Sequence, residues 1–510
     1  MRRRLTPAVL FLALFACAAP AVANAGALPG AHISAAPKDI QKPAAYPGMQ
    51  HLRYRYGPID IAPGQNTIEF RPNQLKPDVP GFITRFKPDL TYEDGTVPPV
   101  DVIHLHHGVW LSQAYPLFAA GEEKTIFNFP QGYGLPYQPS DGWIMNYMIH
   151  NLTPVPTKVF VTYELDFVPA SEPAAEGITP LEPQWMDVSG IRPYPVFDAY
   201  KGTGSKGRFT FPDQARGAQK SSIGSNHEWT VPRDLTLIWT EGHLHPGGLY
   251  DDLTVTRNGV TRTVFRSEAK YFEPAGAVSW DVSMTVSKPN WKIALKAGDR
   301  VNVHTTYDTR NASWYESMGI MDTFWADGHQ PGSVDPFSSA VDITGQLTHG
   351  HLPENDNHGG EADRTLPDAR KLLSGVATTK VAIRNYIYGR GDFQLRGKAG
   401  RPPIVKRGRS ITFTSYDATR TMSPQQSAYH TITACKAPCT GSTGIAYPLA
   451  NAKIQFDSGE LGYGPSFLGN KATPAANRNT WKTPRSLPVG TYTYFCRIHP
   501  FMRGSFRVVK

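Results

Sequence analysis

Apolar and polar residues alternate along most of the chain after residue 51, in short segments such as 52–56, 67–70 and 81–86. Clusters of proline and glycine separate these segments, and the 510 residues include 45 Pro and 46 Gly. A period of two residues is typical of strands with one buried face, and short strands at regular spacing favour β-sandwiches. We therefore predict an all-β protein built from antiparallel sandwiches.

A chain of 510 residues is long enough for about three domains. Shifts in composition and pattern predict a signal peptide at 1–25, a flexible lead-in at 26–50, a first sandwich at 51–215, a second at 216–345, a connection at 346–375 and a third sandwich at 376–510. The connection contains His349, His351 and His358. One interpretation of this connection is a solvated linker. The other is that it forms a further metal site or a segment shaped around the domain junction.

The first 25 residues have the organisation of a secretory signal, with arginines at 2–4, an apolar core at 9–16 and small residues at 23–25. Lipoprotein processing at Cys17 is the alternative interpretation. No other segment is long and apolar enough to span a bilayer, so we expect an exported protein. The formal charge of +9 comes without basic runs interleaved with aromatic residues, which argues against a nucleic-acid partner.

If the signal is removed, three cysteines remain in the mature chain. Cys435 and Cys439 are close enough in sequence for a small disulfide loop, which an oxidising compartment permits. Two free thiols are the alternative. Cys496 belongs to a different motif.

Cys496, His499 and Met502 lie within seven residues, where a strand turns into a loop. His430 lies upstream on another alternating segment. A thiolate, two imidazoles and a weak thioether are the ligands of a blue, or type 1, copper centre that transfers electrons. The alternative interpretation is a free thiol close to an unrelated His and Met.

The loop sequence Cys-x₂-His-Pro-Phe-Met resembles the copper-ligand loop of the cupredoxin family, of the amicyanin and plastocyanin type. The resemblance implies a Greek-key β-sandwich over 376–510. It also implies one type 1 copper held by His430, Cys496, His499 and Met502.

A second group of histidines lies on the predicted strands of the first sandwich. His104, His106 and His107 follow one another on a strand near 102–110, and His150 ends the strand 143–150. Residues two apart share a face of a strand, so His104 and His106 point one way, and a bulge is needed to turn His106 and His107 toward one ion. His104 is interpreted either as a ligand or as a hydrogen-bonded structural residue.

The second sandwich contains a His-x-His pair, His243 and His245, followed by a glycine turn. Imidazole ligands alone suit copper, zinc, iron or nickel, whereas a nearby thioether favours copper. Met318 and, as its rival, Met321 are the candidate thioethers. Core packing is the alternative role for a Met, and a structural hydrogen bond for a strand-end His.

The order and spacing of these motifs over residues 50–330 resemble the copper type II, ascorbate-dependent monooxygenases. That family has two packed sandwiches with one copper each, the first passing an electron and the second activating O₂. The resemblance implies two type 2 copper sites: His106, His107 and His150 in the first sandwich, and the catalytic set His243, His245 and Met318 in the second.

Three residues depart from the family at positions that contact its substrates: Met148, Glu241 and Asp322. The family's disulfides are also missing, since residues 50–330 contain no Cys. The resemblance therefore implies the metal scaffold without the known substrates.

Together these motifs predict an exported multi-copper oxidoreductase in which a type 1 copper relays electrons to type 2 copper on the paired sandwiches. We expect an external electron donor or acceptor as partner and a small molecule or peptide as substrate. The alternative is a non-catalytic protein that binds or buffers copper, or that uses bound copper only to transfer electrons.

Overall fold

A computed structural model describes residues 40–72, 74–100, 102–113, 115–190, 195–217, 227–272, 276–278, 280–352, 367–393, 399–420, 428–435, 454–463 and 478–510. Within these ranges the only helical element is the short 3₁₀ turn Pro173–Gly177, and the regular structure is otherwise strand. The predicted all-β fold is confirmed. No helix in the described part of the chain has the length and hydropathy needed to cross a membrane.

The first sandwich consists of ten strands: β1 (Gln50–Ile61), β2 (Asn66–Pro72), β3 (Gly81–Thr91), β4 (Ile103–Ser112), β5 (Tyr115–Gly121), β6 (Phe127–Asn128), β7 (Tyr133–Tyr137), β8 (Trp143–Asn151), β9 (Thr157–Pro169) and β10 (Thr179–Pro180). One sheet has the order β1-β9-β3-β7-β10, with β6 paired to β3, and the other has the order β2-β8-β4-β5. Apolar side chains that alternate along these strands fill the space between the sheets, with Phe86 stacked on Phe118 at the centre.

The second sandwich consists of β11 (Glu182–Asp187), β12 (Phe197–Ala199), β13 (Arg208–Phe211), β14 (Glu228–Thr230), β15 (Leu235–Leu244), β16 (Gly248–Arg257), β17 (Val260–Tyr271), β18 (Val282–Val286), β19 (Ile293–Leu295), β20 (Arg300–Asp308), β21 (Trp314–Ser317), β22 (Gly319–Asp327) and β23 (Gln346–Leu347). One sheet has the order β11-β22-β15-β19 and the other β13-β20-β16-β17-β18-β23, with β14 on β20 and a separate β12-β21 pair. Among the named strands, β11, β12 and β13 pair with strands of this second unit.

The first two sandwiches share an apolar interface. Every residue of β15 is buried, because one face of this strand packs on its own core and the other packs on the first sandwich. Trp239 of β15 stacks on Phe127 with ring centroids 4.9 Å apart, and Phe324 of β22 packs on Phe129 at 4.7 Å. This packing brings the histidines of β4, β8 and β15 to the same junction.

The third sandwich consists of β24 (Lys380–Ile383), β25 (Ile404–Lys406), β26 (Thr412–Ser415), β27 (Thr433–Cys435), β28 (Phe456–Asp457), β29 (Thr480–Lys482), β30 (Gly490–Phe495) and β31 (Arg503–Val509). Its sheets have the orders β24-β26-β29 and β25-β31-β30-β27-β28. Tyr494, Phe413 and Phe506 lie in its core. It contacts both other sandwiches: the second through a 3.3 Å hydrogen bond from the Tyr315 hydroxyl to Asp457, and the first through His499.

Thr348, His349 and Leu352 of the 346–375 connection are buried, whereas most of the described residues from 367 to 375 are exposed or half-buried. His349 is fully buried, and its Nε2 lies against the backbone oxygen of Glu123, while His351 pairs with Asp281. His349 is therefore a buried contact at the domain junction, whereas His351 is an exposed residue paired with a buried carboxylate. The predicted disulfide requires Cys439, which lies outside the described residues, as do His358, Cys17 and the segment 1–25.

Candidate metal centre

The loop between β30 and β31 holds its three predicted ligands in a tight turn. Cys496 directly follows β30, and its backbone N–H donates to the Met502 carbonyl at 3.1 Å. The Met502 N–H donates to the His499 carbonyl at 2.8 Å. These two bonds close the loop, so the thiol, the imidazole and the thioether are fixed by local structure.

The ligand atoms of His430, Cys496 and His499 converge on one point. The two Nδ1 atoms lie 3.2 Å apart, and the Cys496 Sγ lies 3.7 Å from the Nδ1 of His499. In the described part of the chain, this is the only set of three His, Cys, Asp or Glu side chains whose ligand atoms all lie within 4.8 Å of one another. The structure thus brings these three predicted ligands together.

The far nitrogen of each imidazole is held by an oxygen acceptor. His430 Nε2 lies 2.9 Å from the Asp417 carboxylate, and His499 Nε2 lies 2.9 Å from the backbone oxygen of Gly64 in the first sandwich. A carboxylate or carbonyl oxygen requires an N–H donor, so each ring carries a proton on Nε2 and turns its Nδ1 toward the thiol. This outer anchoring is typical of metal-binding histidines.

The surroundings of Cys496 favour the thiolate. Burial alone would raise the pKa of this thiol, but hydrogen bonding and the positive charge of His430 and His499 outweigh it, and the pKa falls well below its usual value. The backbone N–H groups of Thr431 and His499 also donate to Sγ, each at 3.4 Å. Met502 is 1% exposed and packs in the same core as Cys496.

This donor set fits copper. One thiolate and two imidazole nitrogens face one another in a buried setting, and a thioether lies in the same loop. Soft sulfur ligands combined with imidazole are the set that selects copper for electron transfer.

A second group of histidines lines a small cavity where the three sandwiches meet. His106 of β4, His150 of β8 and His245, which follows β15, all face it, together with Trp280. The rings of His106 and His245 are 4.8 Å apart between centroids, and those of His106 and His150 are 6.4 Å apart. The structure therefore combines two histidines from the first sandwich with one from the second.

The other predicted ligands of the paired sandwiches make hydrogen bonds or apolar contacts away from this cavity. His107 Nε2 lies 3.0 Å from the Asn146 side-chain oxygen, and His243 Nδ1 lies 3.0 Å from a Glu123 carboxylate oxygen. Met318 packs against Val196 in a small apolar cluster. The structure does not gather either set of three that the monooxygenase resemblance implies.

The remaining candidates, His104 and Met321, do not line this cavity. His104 Nδ1 bonds to the Val100 carbonyl at 2.8 Å, its ring packs on Trp280 at 4.3 Å, and its Nε2 is buried without a hydrogen-bond partner. Met321 is fully buried in the core of the second sandwich. Burial lowers the pKa of His104 to about 4, so its ring is neutral.

The three cavity histidines are neutral as well. Burial is the largest cause that lowers the pKa of His106, His150 and His245 well below its usual value. Neutral imidazole is the form that binds a metal ion.

A buried acidic cluster surrounds His243. Burial raises the pKa of Glu122 and of Asp322 to about 8, and the pKa of Glu241 is raised well above its usual value, mainly by burial. The pKa of His243 rises to about 9, because its ion pair with Glu123 outweighs the effect of burial. Glu241 and Asp322 are therefore interior groups of this interface.

Sequence reasoning missed the residues that support the two groups of histidines. Asp417 and Gly64 anchor the ligand rings of the third sandwich, and Glu316, Glu460 and Arg497 share the cavity with the three histidines. No spacing motif marks Asp417 or Gly64, since their contacts arise from tertiary packing. Arg497 and Ile498 could have been found, because they lie between the predicted ligands Cys496 and His499.

No family model matches the chain, and no curated protein matches it. Similar solved structures include a Cu(I) form of an amicyanin variant, with 16% identity and a TM-score of 0.15. The match covers 29% of this chain and 94% of the amicyanin chain. A purple cupredoxin from Nitrosopumilus maritimus has 16% identity, covers 26% of this chain and 100% of its own, and has a TM-score of 0.15. A copper-containing nitrite reductase from Thermus scotoductus has 11% identity and a TM-score of 0.16. The match covers 55% of this chain and 58% of the reductase. These TM-scores are low, so the account of the site rests on its own residues.

Proposed function

We propose that this chain is an exported, copper-dependent redox protein whose third sandwich transfers single electrons. The observation that carries the proposal is the convergence of His430 Nδ1, Cys496 Sγ and His499 Nδ1 in one buried cluster. Copper held by these groups, with Met502 as the thioether, would alternate between Cu(I) and Cu(II).

The residues around the cluster favour fast electron transfer. Asp417 and the Gly64 carbonyl fix the two rings, and backbone N–H groups fix the sulfur, so the ligands need little rearrangement when the charge of the metal changes. His499 is 1% exposed, which keeps water away from this side of the centre.

The position of His499 supports a relay into the paired sandwiches. Its Nε2 donates to Gly64 of the first sandwich, and its ring meets that of His150 edge to face, with centroids 5.9 Å apart. An electron on the thiolate copper therefore lies one imidazole away from the histidine cavity. We infer an oxidoreductase in which an external partner exchanges electrons with the third sandwich and a redox metal on the paired sandwiches completes the reaction.

A small-molecule substrate is favoured over a peptide. The cavity beside the three histidines has a volume of about 70 Å³, far below the roughly 300–1,000 Å³ of pockets that bind drug-sized ligands. The same observation favours, as a second candidate, a protein that stores or transfers electrons with copper and has no organic substrate.

The proposal is tested by the visible spectrum of the copper-loaded protein. A thiolate bound to Cu(II) gives a strong charge-transfer band, so the wild type should be coloured and Cys496→Ser should be colourless. Cys435→Ser, the matched cysteine control, should keep the colour. A wild type that is colourless with its copper oxidised to Cu(II), or an unchanged band in Cys496→Ser, would exclude the type 1 centre.

A further inference from the structure

We propose that the paired sandwiches hold one metal ion and not two, in a site formed by His106, His150 and His245. This site extends the proposed function, because it names the centre that receives the electron. Its ligands come from both sandwiches, and the third sandwich closes its open side.

The first evidence is a set of buried ring nitrogens without a hydrogen bond. His106 Nδ1, His245 Nε2 and both nitrogens of His150 are inaccessible to solvent and have no partner of normal hydrogen-bond geometry, although the Ile498 backbone lies alongside His150. Buried polar atoms are satisfied in the great majority of cases, and an ion is one of the explanations for an exception. Several such atoms around one cavity indicate a shared ligand.

The second evidence is the way the surrounding structure orients His245. Its backbone N–H donates to the Tyr307 hydroxyl at 3.0 Å, and its Nδ1 donates to the Glu316 carbonyl at 2.6 Å. The proton is therefore on Nδ1, and Nε2 is the lone-pair atom. A ligating histidine usually donates its other ring nitrogen to a carbonyl in this way.

The third evidence is the local geometry of β4. The pairing of β4 with β8 shifts by one residue between Leu105 and His107, so His106 is the extra residue of a bulge. Bulges commonly re-aim a side chain next to a functional site. His106, the extra residue of this bulge, has its ring beside His245, whereas the ring of the neighbouring His107 bonds to Asn146.

The distances require a modest adjustment on binding. Imidazole nitrogens bind metal ions such as zinc at about 2.0–2.1 Å, so the three atoms must come within about 4 Å of one another. The ring centroids of His106 and His245 lie 4.8 Å apart and those of His106 and His150 lie 6.4 Å apart, and the three ligand nitrogens are not all within 4.8 Å of one another, so the rings must rotate toward the ion on binding.

The rest of the cavity defines what such a metal would meet. Three protein ligands leave an open position, which is the arrangement of catalytic rather than structural metal sites. The cavity has a volume of about 70 Å³ and is lined in part by Glu460 and Arg497. The site therefore suits a small substrate, bound near the Glu460 carboxyl.

The electron path to this site is short. Arg497 and Ile498 line the same cavity, and they connect Cys496 to His499 in the chain. Reduced copper at Cys496 would pass one electron to an oxidised metal at the three histidines, so that one centre is oxidised as the other is reduced. The two centres are thus joined both by this segment and by the His499–His150 contact.

The test uses full-length Cys496→Ser, in which the type 1 centre is removed. The protein is loaded with Cu(II), freed of excess metal and examined by metal analysis and EPR. We expect one copper per chain, with superhyperfine splitting from three nitrogens. His106→Ala or His245→Ala in the same background should lose this copper, whereas His107→Ala, Met318→Leu and the surface control His304→Ala should keep it.

Two results would overturn the single site. Two coppers per chain, or loss of copper in His107→Ala or Met318→Leu, would support the separate sites of the monooxygenase pattern. No bound copper in Cys496→Ser would exclude both arrangements, and the coloured band of the wild type would then still support electron transfer by the third sandwich. The nitrogen splitting of Cys496→Ser decides the ligand number even if a histidine variant fails to fold.

Discussion

Gly64→Ala separates the contact between the sandwiches from the stability of each one. Gly64 has φ +64°, and a methyl group there would lie 2.5 Å from a ring carbon of Tyr386 and 3.0 Å from Cδ2 of His499. Both rings belong to the third sandwich, while Gly64 belongs to a turn of the first. The substitution therefore adds backbone strain within one sandwich and a clash between two.

Gly95→Ala is the matched control. Gly95 also lies in a turn of the first sandwich, with φ +86°, but a methyl group there meets nothing within 4 Å. Left-handed backbone costs a residue with a Cβ about 1–2 kcal/mol, and both variants bear this cost. Overpacking costs about 1–3 kcal/mol, and only Gly64→Ala bears it.

The expected losses are thus about 1–2 kcal/mol for Gly95→Ala and about 2–5 kcal/mol for Gly64→Ala. In a domain of 150–250 residues, each 1 kcal/mol shifts Tm by about 2–4 °C, so thermal unfolding resolves the difference. Gly64→Ala should also keep its visible band while that band reoxidises more slowly, because His499 is displaced from the first sandwich.

The reasoning would be refuted if the two glycine variants lost the same stability and reoxidised at the same rate as each other. That result would mean that the third sandwich does not pack on Gly64 in solution.

Three further predictions concern the metal and the buried acids. Asp417→Asn should weaken copper binding by about 10–100-fold in a competition titration, because it removes the carboxylate that orients His430; unchanged affinity would contradict this. Copper at 100 times its Kd should stabilise the third sandwich by about 2.7 kcal/mol in chemical unfolding, and no shift would mean no binding to the folded state. Burial raises the pKa of Glu122 to about 8, so the folded protein binds more protons than the unfolded chain between about pH 4.5 and 8, and stability should fall as pH rises through this window. Glu122→Gln should flatten that decline, and an unchanged pH slope would contradict the assignment.

The sequence was most informative where the ligands are close together along the chain. Cys496, His499 and Met502 share one loop, and the alternation around His430 indicated a strand, although the structure gives His430 only an isolated bridge to Leu461 before β27 begins. The chemistry of these side chains follows from their types, so their grouping was predictable.

The arrangement of the other histidines was not predictable from spacing. His106, His150 and His245 meet because a bulge shifts the register of β4 and because β15 packs on the first sandwich. Both effects depend on contacts between residues that are distant in the sequence. The same holds for Gly64, whose carbonyl accepts a hydrogen bond from a histidine 435 residues away.

The most direct test of the account is a stopped-flow reoxidation of the reduced, copper-loaded protein with O₂, following the visible band of the Cys496 centre. The wild type should regain its colour quickly, because the electron leaves through His499 toward the three-histidine site. His245→Ala should keep the same band but regain its colour much more slowly. Equal rates in the two proteins would contradict the relay, and the third sandwich would then exchange electrons with outside partners alone.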